Sequence, residues 1–416
     1  MTINKILSKF NFERVCALYV ILWIFIPPIQ VGTIFRILAV GCACMWLLMI
    51  LLRDRQVLDF LGKYLAISAL CVALMIVWAL GSFSIGTAIK THIQFIIMIA
   101  CGAIATYYMK TDKEFLQILI GACLLCMAFF CITTIDGVIK DPYAARIANS
   151  EWLEERFEGQ ELVGLYGYVY MCVLIAPMLL YKMIKKVKIN RFMDIMVFVV
   201  FVVTVVMTIV SGYMIANMCL LLGCGLVIVL NKPNFGRFAL FFLVILIFLV
   251  FYQDIINGFF GLMLKMVGNN PAYKQKIVEI RKLFLEGSVA GVTVDERFSN
   301  YANSWRLVYR YPIIGTLILG VGGGGGHSEI LDTIGRYGWL ISVLYFYIFW
   351  KYPFKIYENK RPQMVKVLMF VFIIFSLFNP YSQELCITLF LFFPYIIAIS
   401  DEHDLKMIDP EKTLKK

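Results

Sequence analysis

The stretch Phe192–Leu230, FMDIMVFVVFVVTVVMTIVSGYMIANMCLLLGCGLVIVL, contains one charged residue, Asp194, in two apolar runs separated by Ser211-Gly212. Each run has the length that a helix needs to cross a bilayer, about 17–25 residues. Lipid cannot hydrogen-bond to an exposed backbone, so both runs are expected to be α-helical. The stretch therefore predicts two consecutive transmembrane helices.

The composition of the whole chain agrees with this local pattern. Of 416 residues, 61% are hydrophobic and 16% are charged, and the mean hydropathy is +0.83. A soluble domain is about 45–50% apolar and about 25% charged. These values exclude a disordered chain and a cytosolic enzyme. The 12 cysteines all lie in apolar stretches, which excludes a disulfide scaffold. The predicted class is an all-α polytopic integral membrane protein.

Further apolar windows bring the predicted number of transmembrane helices to about twelve. The windows are Val15–Ile29, Ile34–Leu52, Tyr64–Leu80, His92–Met109, Phe115–Ile135, Leu162–Tyr181, Phe192–Val210, Tyr213–Leu230, Phe238–Ile256, Ile330–Trp350, Val365–Phe378 and Leu385–Ser400. The stretch 1–14 leads into the first window without a small-residue cleavage site, so we expect it to be retained.

The positions of Lys and Arg predict the orientation of these helices. With the N-terminus inside, most basic residues fall in inner segments, and the short outer loops carry only Lys90, Lys140, Arg146 and Arg156. This is the asymmetry that the positive-inside rule describes, and it places both termini in the cytoplasm. The net charge of +11 is thereby explained by the inner loops, and no nucleic-acid partner is expected.

The spans divide the chain into four parts. Residues 1–256 would hold transmembrane helices 1–9, 257–329 a large outer catalytic loop, 330–400 helices 10–12, and 401–416 a cytoplasmic tail. Between Asp254 and Ser328 eight Lys/Arg face five acidic residues. Long ordered loops are usually functional. Within this segment, Phe259–Val267 is predicted to form an amphipathic helix on the outer interface.

The segment Asp295–Leu340, DERFSNYANSWRLVYRYPIIGTLILGVGGGGGHSEILDTIGRYGWL, concentrates the residues that suit chemistry. It contains Arg297, Arg306, Arg310, a Pro312–Gly315 turn, five glycines at 322–326 and His327. The glycines allow unusual backbone angles and close approach of a ligand. Ser328 is a plausible N-cap, and a helix N-terminus near arginines is an anion site suited to phosphate. The alternative interpretation is a flexible linker with a solvated histidine.

Other arginines are candidate anion ligands. Arg306 and Arg310, spaced i, i+4, share one face if their segment is helical. Arg36 lies about one turn inside the outer end of the second span, where a charge is costly and a functional partner is expected. Snorkelling of Arg36 to the outer headgroups is the alternative. Arg336, in the entry turns of the tenth span, is a further candidate.

The chain resembles the bacterial polysaccharide polymerase (Wzy) and O-antigen ligase superfamily. The resemblance in layout covers the whole chain, and the resemblance in motif covers 295–340. The matching residues are Arg297, Tyr301, Pro312, Gly315, His327, Ser328, Leu331 and Gly338. The form HSEILDTIGRYG is closer to polymerases than to ligases. One departure is the turn at Ser211-Gly212, after which many members carry an arginine that this chain lacks. Arg36 is a candidate substitute.

The resemblance implies a GT-C-type glycosyltransferase architecture and a metal-independent transferase without a cofactor. It would polymerise undecaprenyl-pyrophosphate-linked oligosaccharide into O-antigen, capsule or exopolysaccharide on the outer face of the bacterial plasma membrane. His327 would assist the attacking hydroxyl, and Arg297 would bind the pyrophosphate. Further expected pyrophosphate contacts are Arg36, Arg306, Arg310, Gly324, Gly325, Gly326 and Ser328.

The expected partners are the lipid-linked donor and acceptor glycans, the lipid bilayer, and a chain-length regulator and flippase of the same pathway. Two other functions stay open at this point. One is ligase-type transfer to a different acceptor, which no residue identifies. The other is a lipid-linked oligosaccharide flippase, for which two related halves and charged residues near the bilayer midplane are typical.

Overall fold

The computed structural model describes most of the apolar part of the chain. The described residues are 11–26, 29, 33–53, 58–80, 85–140, 163–164, 166–185, 190–231, 235–266, 274, 277–278, 281, 285, 294–316, 326, 328–347 and 362–379. Over these ranges the only regular secondary structure is helical. The predicted all-α class is thus confirmed for this part of the chain.

Thirteen helices are described. They are α1 (Phe12–Phe25), α2 (Thr33–Arg53), α3 (Leu58–Leu80), α4 (Ile85–Thr111), α5 (Lys113–Lys140), α6 (Tyr166–Ile184), α7 (Arg191–Val210), α8 (Met214–Asn231), α9 (Phe235–Val250), α10 (Tyr252–Met266), α11 (Val294–Arg310), α12 (Glu329–Phe346) and α13 (Pro362–Phe378). Helices α1–α9, α12 and α13 overlap the first eleven predicted windows. The window Leu385–Ser400 and the tail 401–416 lie outside the described residues.

Several of these helices are long and apolar enough to cross a membrane. By length and composition the described part of the chain has 4 such helices, namely α2, α5, α6 and α7, or up to 5 if the bent pair α9–α10 counts as one span. Shorter apolar helices lie at Tyr64–Val77, Ile215–Asn231 and Lys366–Phe378. The protein is therefore a helical membrane protein.

The ninth apolar window ends earlier than the sequence predicts. Helix α9 stops at Val250, and α10 leaves it at an angle of 75°. Asp254 lies in the first turn of α10, where a carboxylate favours a helix start because it faces unpaired amide groups. Ile256, which the sequence placed at the end of the ninth span, instead packs with Phe260 and Ile277 in a small separate cluster. Residues 259–266 of the predicted amphipathic helix are thus part of the longer helix α10, and Val267 lies outside the described residues.

One large apolar core joins the helices from α1 to α8 with α12 and α13. Helices α5 and α7 pack closely, as do α3 with α4, α6 with α8, and α11 with α12. The contact between α6 and α8 has a simple cause. A Cβ added to Gly223 would lie 2.5 Å from the Pro177 ring, so only glycine lets the two backbones approach this closely.

A buried carboxylate joins three helices at the start of α1. Glu13 is 2% exposed and accepts hydrogen bonds from Arg53 of α2 and, at 2.8 Å, from the Tyr108 hydroxyl of α4. Beside it, Arg14 forms a 2.8 Å ion pair with Asp112, in the break between α4 and α5. A buried charge is tolerated only when it is paired and hydrogen-bonded. These contacts therefore fix the relative positions of α1, α2, α4 and α5.

The Glu13 cluster predicts a measurable loss of stability. Glu13→Ala leaves the buried Tyr108 hydroxyl without its acceptor, which costs about 1–3 kcal/mol. The midpoint of thermal unfolding in detergent should fall by several degrees. The control is Asp136→Ala, which removes an ion pair to Lys140 whose side chains are 70% and 61% exposed. Exposed pairs contribute little, so this midpoint should stay unchanged. Equal midpoints for the two variants would contradict the account.

Candidate functional site

The candidate site lies where α11 packs on α12. Ser304 of α11 is level with Asp332 of α12, Leu307 with Gly335, and Pro312 with Trp339. Residue numbers increase in the same direction along both helices, so α11 and α12 run parallel. The backbone of α11 then turns at Pro312–Ile314 and lies against the middle of α12.

Two glycines make this turn possible. Gly315 has φ +73° and Gly338 has φ +69°, a left-handed region that side chains with a Cβ rarely adopt. A Cβ on Gly315 would lie 2.4 Å from the Gly338 nitrogen, and a Cβ on Gly338 would lie 2.1 Å from the Ile313 oxygen. Two glycines that are far apart in the sequence therefore allow direct contact between the backbone of the turn and the backbone of α12.

Backbone hydrogen bonds hold this glycine junction, meaning the contact between the turn 312–316 and the kink at Gly338. The Thr316 amide donates to the Gly335 carbonyl at 2.9 Å, and the Trp339 amide donates to the Pro312 carbonyl at 2.7 Å. Gly338 interrupts the helical geometry of α12. The Ser342 hydroxyl donates to the Thr333 carbonyl at 3.0 Å, so this carbonyl has a hydrogen-bond partner beside the kink.

Helix α12 begins as the sequence predicts. Ser328 is the N-cap, and its hydroxyl accepts a hydrogen bond from the Leu331 amide at 3.3 Å. The Ser328 amide donates to the Asp332 carboxylate at 3.2 Å, and the Glu329 amide donates to the Asn379 carbonyl at 3.2 Å. A phosphate at this helix start would have to displace these acceptors and approach two carboxylates. Ser328 is thus a helix cap that holds the start of α12.

Two acidic residues of the first turn are the part of the site that sequence reasoning missed. Asp332 is 5% exposed, and Glu329 accepts from the Tyr345 hydroxyl at 2.6 Å and from the Thr333 hydroxyl at 3.0 Å. Arg336, one turn further along, is attracted by both carboxylates. Acidic residues are energetically costly in the entry turn of an apolar span. The presence of Glu329 and Asp332 there is the feature of the sequence that could have identified them.

The arginines of α11 lie on two different faces. Arg306 and Arg310 are exposed beside Trp305 and Tyr309, and the conditional prediction that they share a helical face is confirmed. Ser304, buried against α12, is about 200° away from Arg306 around the helix axis at 3.6 residues per turn. The arginines of α11 that the sequence groups as anion ligands therefore do not all lie on one face of the helix.

Position 297 falls on the side of α11 that faces α12. It precedes Ser304 by seven residues, which is close to two full turns and about 10 Å along the axis. Because the helices run parallel, this position lies beyond the first residue of α12, Glu329. In the sequence His327 directly precedes Ser328 at the same end. The backbone thus brings position 297 of α11 to the end of α12 that the histidine precedes.

Several candidate residues lie elsewhere or outside the described residues. His327, Gly324 and Gly325 are outside them, and so is the side chain of Arg297. Gly326 is exposed, with φ +74° and nothing within 4 Å of an added Cβ. Arg36 lies on α2, which packs on α1 and α4, and its buried Nε has no hydrogen-bond acceptor among the described residues.

Comparison of the chain with protein-family models gives no match, and comparison with curated proteins gives none either. Within the part of the chain that the structure describes, no group of three or more His, Cys, Asp or Glu side chains is placed to hold a metal ion.

The glycine junction predicts an unequal response to two Gly→Ala substitutions. Gly338→Ala forces a Cβ into the Ile313 carbonyl and into a left-handed conformation, which alone costs roughly 1–2 kcal/mol. We expect a clearly lower midpoint of thermal unfolding. Gly258→Ala in α10 is the matched control, because nothing lies within 4 Å of its added Cβ. Alanine is favoured over glycine in a helix, so its midpoint should stay equal or rise. A tolerated Gly338→Ala would show that the junction is not needed.

Proposed function

We propose that the protein is a metal-independent glycosyltransferase that polymerises undecaprenyl-pyrophosphate-linked oligosaccharide repeat units. The observation that carries the proposal is the parallel packing of α11 on α12. It sets position 297 near the end of α12 that His327 precedes in the sequence. A cation for a diphosphate and an imidazole for a hydroxyl would then meet at one end of one helix pair.

The chemistry follows from these two residue types. The acceptor hydroxyl attacks the anomeric carbon of the donor glycan, a glycosidic bond forms, and the bond to the pyrophosphate oxygen breaks. Undecaprenyl pyrophosphate leaves with the electron pair, and Arg297 stabilises its charge. His327 takes the proton of the attacking hydroxyl, a task for which an imidazole titrating near neutral pH is suited.

The exposed face of α11 supports a second role for arginines. Arg306 and Arg310 alternate there with Trp305 and Tyr309, which are 61% and 85% exposed. Aromatic rings and arginines together are typical of surfaces at the level of lipid headgroups. We assign this face to the first capture of the lipid-linked donor, before its pyrophosphate reaches Arg297. Arg36, whose Nε has no described protein acceptor, is proposed as a further anion contact.

The proposal includes a topology of twelve spans with both termini in the cytoplasm. The active site would then face outward from the plasma membrane, where O-antigen, capsule or exopolysaccharide is assembled. The helices that overlap the first eleven apolar windows support this arrangement. The basic residues between 254 and 328 would lie on the same outer side as the diphosphate-bearing substrate.

The positions of buried charges favour a transferase over a flippase. Among the described residues the buried carboxylates are Glu13 and Asp332, and the buried lysine is Lys182. Glu13 begins α1, Lys182 is in the last turn of α6, and Asp332 is in the first turn of α12. All three lie at helix ends. Arg336, whose Nε is also buried, lies one turn after Asp332 and is attracted by the carboxylates of the same helix start. An alternating-access carrier instead places charged sites near the bilayer midplane.

The proposed chemistry predicts that two single substitutions abolish polymer. In proteoliposomes supplied with lipid-linked repeat units and a chelator, His327→Ala and Arg297→Ala should each remove the glycan ladder seen on a gel. Each removes one group that acts on the reacting atoms. Lys140→Ala, which alters an exposed cation of α5, should give the wild-type ladder. A full ladder from His327→Ala would remove His327 from the mechanism.

The capture face predicts a change in KM. Replacing both Arg306 and Arg310 by Ala removes two exposed charge-assisted contacts of about 0.5–1 kcal/mol each, so KM for the donor should rise roughly 5- to 30-fold. The value of kcat should change little. Lysine at both positions should restore part of the affinity. The control is Lys265→Ala, which removes an exposed cation of α10 and should leave KM unchanged. An unchanged KM in the double variant would exclude donor capture on this face.

A further inference from the structure

Asp332 makes the side-chain contacts that tie the start of α12 to α11. Its Oδ1 accepts a hydrogen bond from the Ser304 hydroxyl at 2.6 Å, and its Oδ2 accepts one from the Ser328 amide at 3.2 Å. Ser304 and Ser328 are each 1% exposed. One carboxylate therefore bridges the buried face of α11 and the cap of α12.

The environment of Asp332 explains why this bridge is stiff. A carboxyl group that is 5% exposed is stable only when its oxygens have hydrogen-bond partners. Two neutral donors occupy the two oxygens, and Arg336 supplies a nearby positive charge. Rotation of α11 or a shift along its axis would separate Ser304 from Oδ1. Such a movement would leave a buried acceptor unsatisfied, so the carboxylate selects one register.

That register matters for the proposed reaction. A shift of α11 by one residue would rotate position 297 by about 100° and move it by about 1.5 Å. Misplacement of about 1 Å is enough to cost a large factor in rate, because reacting groups must be aligned. The hydrogen bonds of Asp332 would therefore act on catalysis without any contact to the substrate.

We infer that Asp332 is a positioning residue, which holds α11 and α12 in the register that aligns position 297 with the end of α12 that His327 precedes. The part of this inference that concerns catalysis rests on the proposed function. The part that concerns the register of the two helices is independent of it.

Kinetics of three variants test the catalytic part. Asp332→Ala should lower kcat at least tenfold and change KM less than threefold. Asp332→Asn can accept from Ser328 and donate to Ser304, whose own hydroxyl can donate to the Asn300 carbonyl. It should keep kcat within threefold of the wild type. In a double-mutant cycle, Ser304→Ala should cost nothing further once Asp332 is Ala. Wild-type kcat in Asp332→Ala, or an Asn variant as slow as the Ala variant, would overturn the inference.

A disulfide crosslink tests the register without any enzymatic assay. A Cβ built on Gly335 lies 3.3 Å from the Leu307 Cβ, close to the 3.5–4.5 Å of natural disulfides. The pair Leu307→Cys/Gly335→Cys should crosslink under mild oxidation, as measured by mass spectrometry of the linked peptides. With Asp332→Ala added, the yield should fall at least fivefold, and with Asp332→Asn it should persist. An unchanged yield with Asp332→Ala would contradict positioning by this carboxylate.

An ion pair in which the lysine is buried and the aspartate is about one-third exposed provides the control. Lys182, 4% exposed, donates to Asp194 at 2.5 Å between α6 and α7. Asp194→Ala should lower the unfolding midpoint but leave kcat per folded molecule and the crosslink yield unchanged. An equal loss of kcat in Asp194→Ala and Asp332→Ala would show a general stability effect and overturn positioning. If the wild type transfers no glycan, the proposed function fails while the crosslink still decides the register.

Discussion

The bridge from Ser304 through Asp332 to the Ser328 amide is the interaction on which the candidate site depends. A carboxylate in an apolar helix bundle is unfavourable unless both oxygens have donors, so its position dictates where those donors must be. This requirement fixes α11 along α12, and the glycine junction at Gly315 and Gly338 then lets the chain turn back against the same helix. The hydrogen bonds of Asp332 near the start of α12 and the backbone contacts of the glycine junction near its middle together hold α11 and the following turn rigidly on α12.

The buried carboxylates and the buried lysine of the described helices follow one rule. Glu13, Lys182 and Asp332 are buried, and each lies at a helix end with a partner from another helix. A helix end allows a charge to be satisfied locally, whereas the middle of a span offers only apolar neighbours. The Glu13 cluster fixes the first helices, and the Asp332 cluster fixes the last ones. In the proposed topology these clusters lie on opposite sides of the membrane, and the outer one holds α11, the helix to which the proposed diphosphate ligand Arg297 belongs.

Local patterns in the sequence were enough for the apolar helices and for the cap of α12. Apolar length predicts the helices because lipid enforces it, and Ser328 before an acidic first turn predicts the cap. The break near Phe251 was missed because an apolar window does not register a change of direction. The contacts of Gly315 with Gly338 and of Ser304 with Asp332 join positions that no local pattern links. The division of the arginines, with Arg306 and Arg310 on one face and position 297 on the other, becomes visible only once α11 is known to be helical.

The most direct measurement uses wild-type protein in proteoliposomes with the lipid-linked repeat unit in one leaflet and a chelator present. Chain growth and release of undecaprenyl pyrophosphate are followed together with the movement of the lipid-linked sugar between leaflets. We expect one undecaprenyl pyrophosphate to be released for each glycosidic bond formed, without dependence on leaflet exchange. Movement of the intact lipid-linked sugar between leaflets, with no pyrophosphate released and no longer glycan formed, would contradict it.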